Sequence, residues 1–168
     1  MSQVILKWNP AISSYTMERY LMELRMLNEG YGVPFNWSVH DHDKIHKNDR
    51  YYLLKLGYGQ QGIVSTGTIT SEPYRDEDWS GKGRETYYVN LRPDMMLNPD
   101  AMPILTSEEL TRNVKGEFNW YKGHSGIVLT TEEAEEVGFL WMDLCTKANG
   151  IVEKALSATT HDKVFVRK

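Results

Sequence analysis

The chain has 168 residues, 40% of them hydrophobic and 25% charged, which suits one folded domain with little left for a second. Its net charge of −4 counts against an indiscriminate nucleic-acid binder, which needs a strong basic field, but does not exclude a protein that gains most of its affinity from one pocket. No apolar stretch approaches the roughly 18 residues of a bilayer span, the apolar run at the N-terminus is too short for a signal peptide, and the single cysteine, Cys145, excludes an internal disulfide and a thiolate zinc site.

In chain order, Val4-Ile5-Leu6 running into Trp8-Asn9-Pro10 predicts a first strand that ends before the proline. Ser13 or Ser14 can cap a helix whose apolar face is Met17, Tyr20, Leu21, Leu24 and Leu27, and Gly30 stops it. Phe35 to Val39 is a short extended piece, followed by the polar run His40 to Arg50. Tyr51 to Leu56 is a strong strand. The turn Gly57 to Gly62 joins it to Ile63–Thr70 as a hairpin. Gly67 inside the second strand predicts a bulge or bend, as a small barrel needs at its corners.

Pro73 to Gly83 is an acidic, glycine-containing loop. Glu85 to Leu91 is the next strand, and Pro93, Pro99 and Pro103 break up the segment after it. Thr106 to Leu110 is a short capped helix with acids in its first turn. Phe118 to Gly126 is a loop, and Ile127 to Leu129 a short strand. Thr130 or Thr131 caps a helix that faces inward through Ala134, Val137, Trp141, Leu144, Cys145 and Ala148, and that ends at Asn149-Gly150. Residues 151–168 form an extension, packed on the domain or partly flexible, with a helical turn and an extended Val164-Phe165-Val166. The strands are joined by tight turns without crossover helices, so the expected fold class is α+β: a small, curved, mostly antiparallel β-barrel flanked by helices.

Several patterns suggest chemistry and then fail on context. Gly57-x-Gly59-x-x-Gly62 has dinucleotide-fingerprint spacing but opens no helix, so it is a hairpin turn. His40-Asp41-His42-Asp43-Lys44-Ile45-His46 holds metal-ligand residue types, yet lacks the helical His-Glu-x-x-His arrangement and reads better as a solvated loop. Ser125 lacks the glycine frame of a nucleophile elbow, and Cys145 lies on the helix's buried face as an inert thiol. Lys55 with Thr66 or Thr68, or Glu72, could supply acid–base chemistry at a barrel mouth, but no triad emerges. No catalytic residue, metal or cofactor is assigned.

Five tryptophans and ten tyrosines are generous for this length. Trp37, Tyr58, Tyr74 and Trp79 fall in loops or at strand ends, where function collects. Such rings can sandwich a base, each stack being worth about 1–3 kcal/mol. Asn36 and Ser38 can bond the edge of a base extruded from its stack. Lys44, Lys47, Arg50, Arg75, Lys82 and Arg84 could contact phosphate, which positions a strand without reading its sequence. The alternative at each position is a ring that only covers the barrel's end, or a solvated charge.

The order of features resembles the EVE family of PUA-like domains, with YTH and ASCH domains as wider relatives. Four stretches carry it: the strand ending in Trp8; Trp37-Ser38-Val39; the hairpin from Asp49-Arg50-Tyr51-Tyr52 through Gly67-Thr68-Ile69, leading to Trp79; and Ser125-Gly126-Ile127-Val128-Leu129 before an acidic helix. They span roughly residues 1–145 of an expected domain at 1–150. The Gly-Val-Arg-Asn-like stretch that follows the EVE tryptophan is replaced by Ser38-Val39-His40-Asp41, and the ASCH signature is absent. The resemblance implies a PUA-like fold and a modified base of DNA or RNA captured between aromatic walls, with Trp37 and Ser38 matching one wall and Trp79 the other. The expected protein is a cytoplasmic binding module whose partner is nucleic acid, with no membrane partner. The alternatives are a small-molecule or protein-interaction domain, and a small RNA or nucleoside hydrolase.

Overall fold

Val4, Ile5 and Leu6 give β1 (Gln3–Trp8) two buried faces. Such a strand belongs in the middle of a sheet. β1 pairs in parallel with β3 (Arg50–Lys55) and antiparallel with β8 (Ile127–Val128). The structure is a computed structural model that describes residues 1–78 and 80–162, with side chains up to residue 148.

The remaining strands are β2 (Phe35–Ser38), β4 (Gly62–Ile69), β5 (Tyr74–Glu77), β6 (Glu85–Met96) and β7 (Leu105–Thr106). The sheet runs β2-β6-β4-β3-β1-β8, with β5 beside β6 and β7 beside β4. Every pairing except β1–β3 is antiparallel. The two ends of this path meet: His40 N–H donates to Ser125 O and Asp41 N–H to Gly126 O, both at 2.9 Å. The sheet therefore curls into a small barrel, as its sequence leads one to expect.

Period-2 alternation divides the core in two. Val4, Leu6, Trp8, Tyr51 and Leu53 point to a cluster covered by α1 (Met17–Asn28). Ile5, Tyr52, Leu54 and Ile63 point to a second cluster with Leu110 of α2 (Ser107–Asn113) and Val137 and Trp141 of α3 (Thr131–Asp162). This explains the unbroken apolar run of β3: both of its faces are covered.

The structure corrects several local expectations. Thr16, not Ser13 or Ser14, caps α1, its hydroxyl accepting from Arg19 N–H at 3.1 Å. Ser13 instead accepts from Tyr15 N–H within the preceding turn. The acidic loop contains β5, a charged edge strand that carries no apolar alternation because one side of it meets solvent. β6 runs through Pro93, which the sequence treats as a breaker. The β4 register shifts between Thr66 and Gly67, setting Gly67 opposite Pro93, and a Cβ on Gly67 would fall 2.7 Å from Pro93 Cα. A proline and a glycine at a bulge lose no ladder bond that the bulge had not already removed. Thr130 is the cap of α3, in a reciprocal box with Glu133. That helix continues past Asn149-Gly150, an interior glycine costing only about 1 kcal/mol against alanine. Ala148 is exposed. Val164, Phe165 and Val166 lie outside the described residues.

Candidate functional site

Strand register decides what β2 presents. Phe35 faces Leu91 and Trp37 faces Val89, while Asn36 faces Asn90 and Ser38 faces Tyr88. Residues directly opposed share a face of the sheet. Val89 and Leu91 are buried, so Phe35 and Trp37 turn inward and Asn36 and Ser38 turn outward. Neighbouring residues of one short strand thus point to opposite faces of the sheet.

On the inner side, aromatic rings hold one another. Tyr15 stacks on Phe35 at 5.5 Å and 8°. Trp37 meets Tyr15 edge-on at 5.6 Å and Phe35 edge-on at 6.0 Å. Trp8 lies 5.3 Å from Tyr15 and donates its indole N–H to Tyr15 O at 2.6 Å. These are the offset and edge-to-face geometries that ring quadrupoles favour. Trp37 is only half-buried, and its Nε1–H donates to Lys7 O at 3.3 Å.

Beside these rings opens a cleft of about 880 Å³, within the range of small-ligand sites. Trp8, Tyr15, Phe35 and Trp37 are among the residues that line it, as are Asn36, Ser38, Tyr88 and Asn90. Polar groups there are linked: Asn36 Nδ2 donates to Tyr74 OH at 3.4 Å, and Tyr74 OH donates to Asn90 Oδ1 at 2.6 Å. Tyr74 also stacks near Tyr88.

Charge is distributed by element. Lys7 from β1 and Arg19 from α1 line the cleft, as do Asp76 and Glu77 from β5. Lys7 Nζ donates to the carbonyls of Asn119 and Lys122 and sits 4.7 Å from the centre of the Phe118 ring; burial holds its pKa below the usual lysine value. Arg19 Nε donates to Glu23 at 3.0 Å, and Tyr15 OH donates to the other oxygen of Glu23 at 2.7 Å. Burial first, and then the Glu23 carboxylate, push the Tyr15 phenol far above its ordinary value. Tyr15 is therefore a neutral hydrogen-bond donor across the physiological range.

No family model matches the chain, and no curated protein matches it. Solved structures do. A Rhodopseudomonas palustris protein solved by NMR has a TM-score of 0.51 at 19% identity, over 86% of this chain and 95% of its own. A Pseudomonas syringae protein solved by X-ray crystallography has a TM-score of 0.55 at 12% identity, over 82% of this chain and 98% of its own. Human THYN1 protein in complex with 5-methylcytosine-containing DNA has a TM-score of 0.56 at 13% identity, over 82% of this chain and 95% of its own. The chain has the PUA-like fold of the EVE proteins.

The PUA-like barrel brings together some of the residues singled out from the sequence and separates others. Trp37, Ser38 and Asn36 line the cleft, and Tyr74 bonds to Asn36 beside it. Tyr58 does not reach it. It lies in the turn between β3 and β4, where its ring and its carbonyl engage the buried ammonium of Lys55. Trp79 lies outside the described residues. None of Lys44, Lys47, Arg50, Arg75, Lys82 and Arg84 lines the cleft. Arg50 bonds to Thr66 and pairs with Asp94, and Arg75 pairs with Glu85. Lys47 N–H donates to Glu72, while Lys44, Lys82 and Arg84 take part in backbone turns.

The histidines of the polar run engage separate partners. His40 stacks on His124, His42 stacks on Tyr87, and His46 pairs with Glu72. Lys55, Thr66, Thr68 and Glu72 do not converge: Lys55 Nζ bonds Gln60 O, Thr66 donates to Tyr51 O and Thr68 to Asp94. Ser125 Oγ accepts from Lys7 N–H at 2.8 Å, a structural role. No helix among the described residues is long and apolar enough to cross a membrane.

Sequence reasoning missed Tyr15, Arg19, Glu23, Lys7, Tyr88 and Asn90. The spacing of Arg19 and Glu23, i and i+4 on a helix, is a legible ion-pair signal. Nothing local shows that the pair would border a cleft formed with β2 and β6.

Proposed function

We propose that the protein binds a modified base of DNA or RNA by taking it, extruded from its strand, into the cleft beside Trp37. The observation that carries this reading is the position of the Trp37 indole: half-buried, hydrogen-bonded at its far end, and bordering a cleft of about 880 Å³. A wall ring that is already fixed loses little entropy when a base stacks on it. Asn36 and Asn90, with Tyr74 between them, offer donors and acceptors to a base edge. Asp76 and Glu77 can accept from an exocyclic amine. The net charge of −4 keeps non-specific strand binding weak, so selectivity rests on the pocket. A protein of the same fold, human THYN1, has been solved with 5-methylcytosine-containing DNA; that ligand belongs to THYN1, and here it supplies the first probe.

The test is fluorescence anisotropy with short oligonucleotides carrying one modified base, 5-methylcytosine first and then other methylated bases, in DNA and RNA. The expected result is tighter binding of one modified strand than of its unmodified twin, with the preference lost in Trp37→Ala. Equal affinity for modified and unmodified strands across the panel would sink the reading. A second reading, a cationic planar small molecule, is favoured by the two carboxylates of β5 at an aromatic cleft. Native mass spectrometry of the purified protein separates the two.

A further inference from the structure

The basic residues that stand out in the sequence lie away from the cleft. The cations that do line it are Lys7 and Arg19. Lys7 directs its ammonium to the carbonyls of Asn119 and Lys122. Arg19 is different. Its side chain is 51% exposed, and of its five N–H donors only Nε–H is engaged within the described residues, by Glu23.

Glu23 is the informative partner. It lies on α1 with only 8% of its surface exposed, and a carboxylate at such a place must have both oxygens satisfied. Tyr15 OH satisfies one and Arg19 Nε the other. The consequence is a guanidinium whose carbon is held 5.1 Å from the centre of the Tyr15 ring, itself a wall of the cleft. The Nε edge faces the protein, and the Nη edge remains for a ligand. A planar fork with paired N–H groups fits phosphate oxygens. Asp76 and Glu77 of β5 also line the cleft and repel an anionic strand where they stand.

We infer that Arg19, aimed by buried Glu23 and Tyr15, is the residue that grips a backbone phosphate next to the bound base. The inference rests on the base-binding reading above and adds the side from which the strand enters, along α1 and not along β5.

The experiment compares wild type, Arg19→Gln, Arg19→Lys, Glu23→Gln and Trp37→Ala. The probes are a 12-mer DNA with one central 5-methylcytosine, its unmodified twin, and the free nucleoside 5-methyl-2′-deoxycytidine, which has no phosphate. Arg19→Gln should weaken both 12-mers about tenfold, as expected for a hydrogen-bonded charge. It should lower the salt slope of their affinity by about 0.7, the increment of one single-strand phosphate contact, and leave nucleoside binding within about twofold of wild type. Arg19→Lys should restore the slope but only part of the affinity, because it keeps the charge and loses the fork. Glu23→Gln, which still accepts a hydrogen bond, should fall between wild type and Arg19→Gln.

If Arg19→Gln keeps the wild-type slope and 12-mer affinity while Trp37→Ala loses the methylated preference, the phosphate assignment is wrong and the base pocket stands. If Arg19→Gln behaves as expected and Trp37→Ala changes nothing, the base pocket is wrong and the phosphate contact stands. Wild-type protein that binds neither 12-mer overturns the phosphate assignment, whereas the base-binding reading falls only with the whole panel of modified bases. Arg19→Gln takes a partner from buried Glu23 and should lower the melting temperature, so circular dichroism at the assay temperature checks that each variant is folded before its affinity is read.

Discussion

Trp37 Nε1 donates to the carbonyl oxygen of Lys7 across 3.3 Å, joining β2 at one end of the sheet path to β1 beside the other end. The bond spans the barrel and sets the plane of the indole at the cleft wall. Trp37→Ala should reduce binding of the preferred modified strand by about 1–3 kcal/mol, the value of one stack on a ring. Trp37→Phe keeps a ring without the N–H donor and should lie in between. Titration by anisotropy measures both, and wild-type affinity in Trp37→Ala would exclude the cleft as the site.

Tyr58 makes the opposite case. It is 54% exposed, and its ring lies 4.9 Å from Lys55 Nζ in a turn away from the cleft. Tyr58→Ala should leave ligand affinity within about twofold of wild type and lower stability by roughly 0.5–1 kcal/mol, the cost of an exposed cation–π contact. A tenfold loss of affinity in this variant would place the ligand elsewhere.

Gly126 is needed where the barrel closes. Its φ is +81°, and a Cβ there would fall 2.3 Å from Val39 Cα and 2.8 Å from His40 N. Backbone on both sides cannot yield without breaking the His40–Ser125 and Asp41–Gly126 bonds. Gly126→Ala should therefore cost more than about 2 kcal/mol, combining left-handed strain with the clash. Urea unfolding measures it; an unchanged midpoint would mean that the seam is not tight.

Asp41 makes the same seam sensitive to acid. Burial pushes its carboxyl up, but the Val128 N–H, the neighbouring His40 and Lys44 outweigh this and hold it below the usual aspartate range. A depressed folded value means stability that is complete above the unfolded pKa of about 3.9 and is lost as pH falls through the folded value. Asp41→Asn should be less stable than wild type at pH 7 by about 1–2 kcal/mol, the loss of a charge-assisted bond. The gap should close as pH falls below about 4. Urea melts of both proteins at pH 7 and pH 3 test this; a gap independent of pH contradicts the assignment.

Much of the fold is legible from local pattern. Val4-Ile5-Leu6, Tyr51 to Leu56 and the Gly57 to Gly62 turn mark strands and a hairpin, and Gly67 marks a bulge that the sheet does contain. Residues that break local rules for tertiary reasons are read less well. β5 is charged because it is an edge, and Pro93 sits inside β6 because Gly67 opposes it. Within the candidate site, Trp37, Ser38 and Asn36 stand out as polar and aromatic residues on a short strand. Tyr58 and the six basic residues stand out equally, and nothing in their own neighbourhoods separates them from the first group.

Alternation and helical spacing act over a few residues, so the sequence by itself determined most of the strands and helices and the caps of α2 and α3. The cleft depends on contacts between distant positions: Trp37 with Lys7, Asp41 with Val128, and Tyr15 and Arg19 brought beside β2 and β6. Such contacts arise only when the sheet curls until its end strands meet. That closure, made through Gly126 and Val39, selects which aromatic and charged side chains share a space and which are left on the surface.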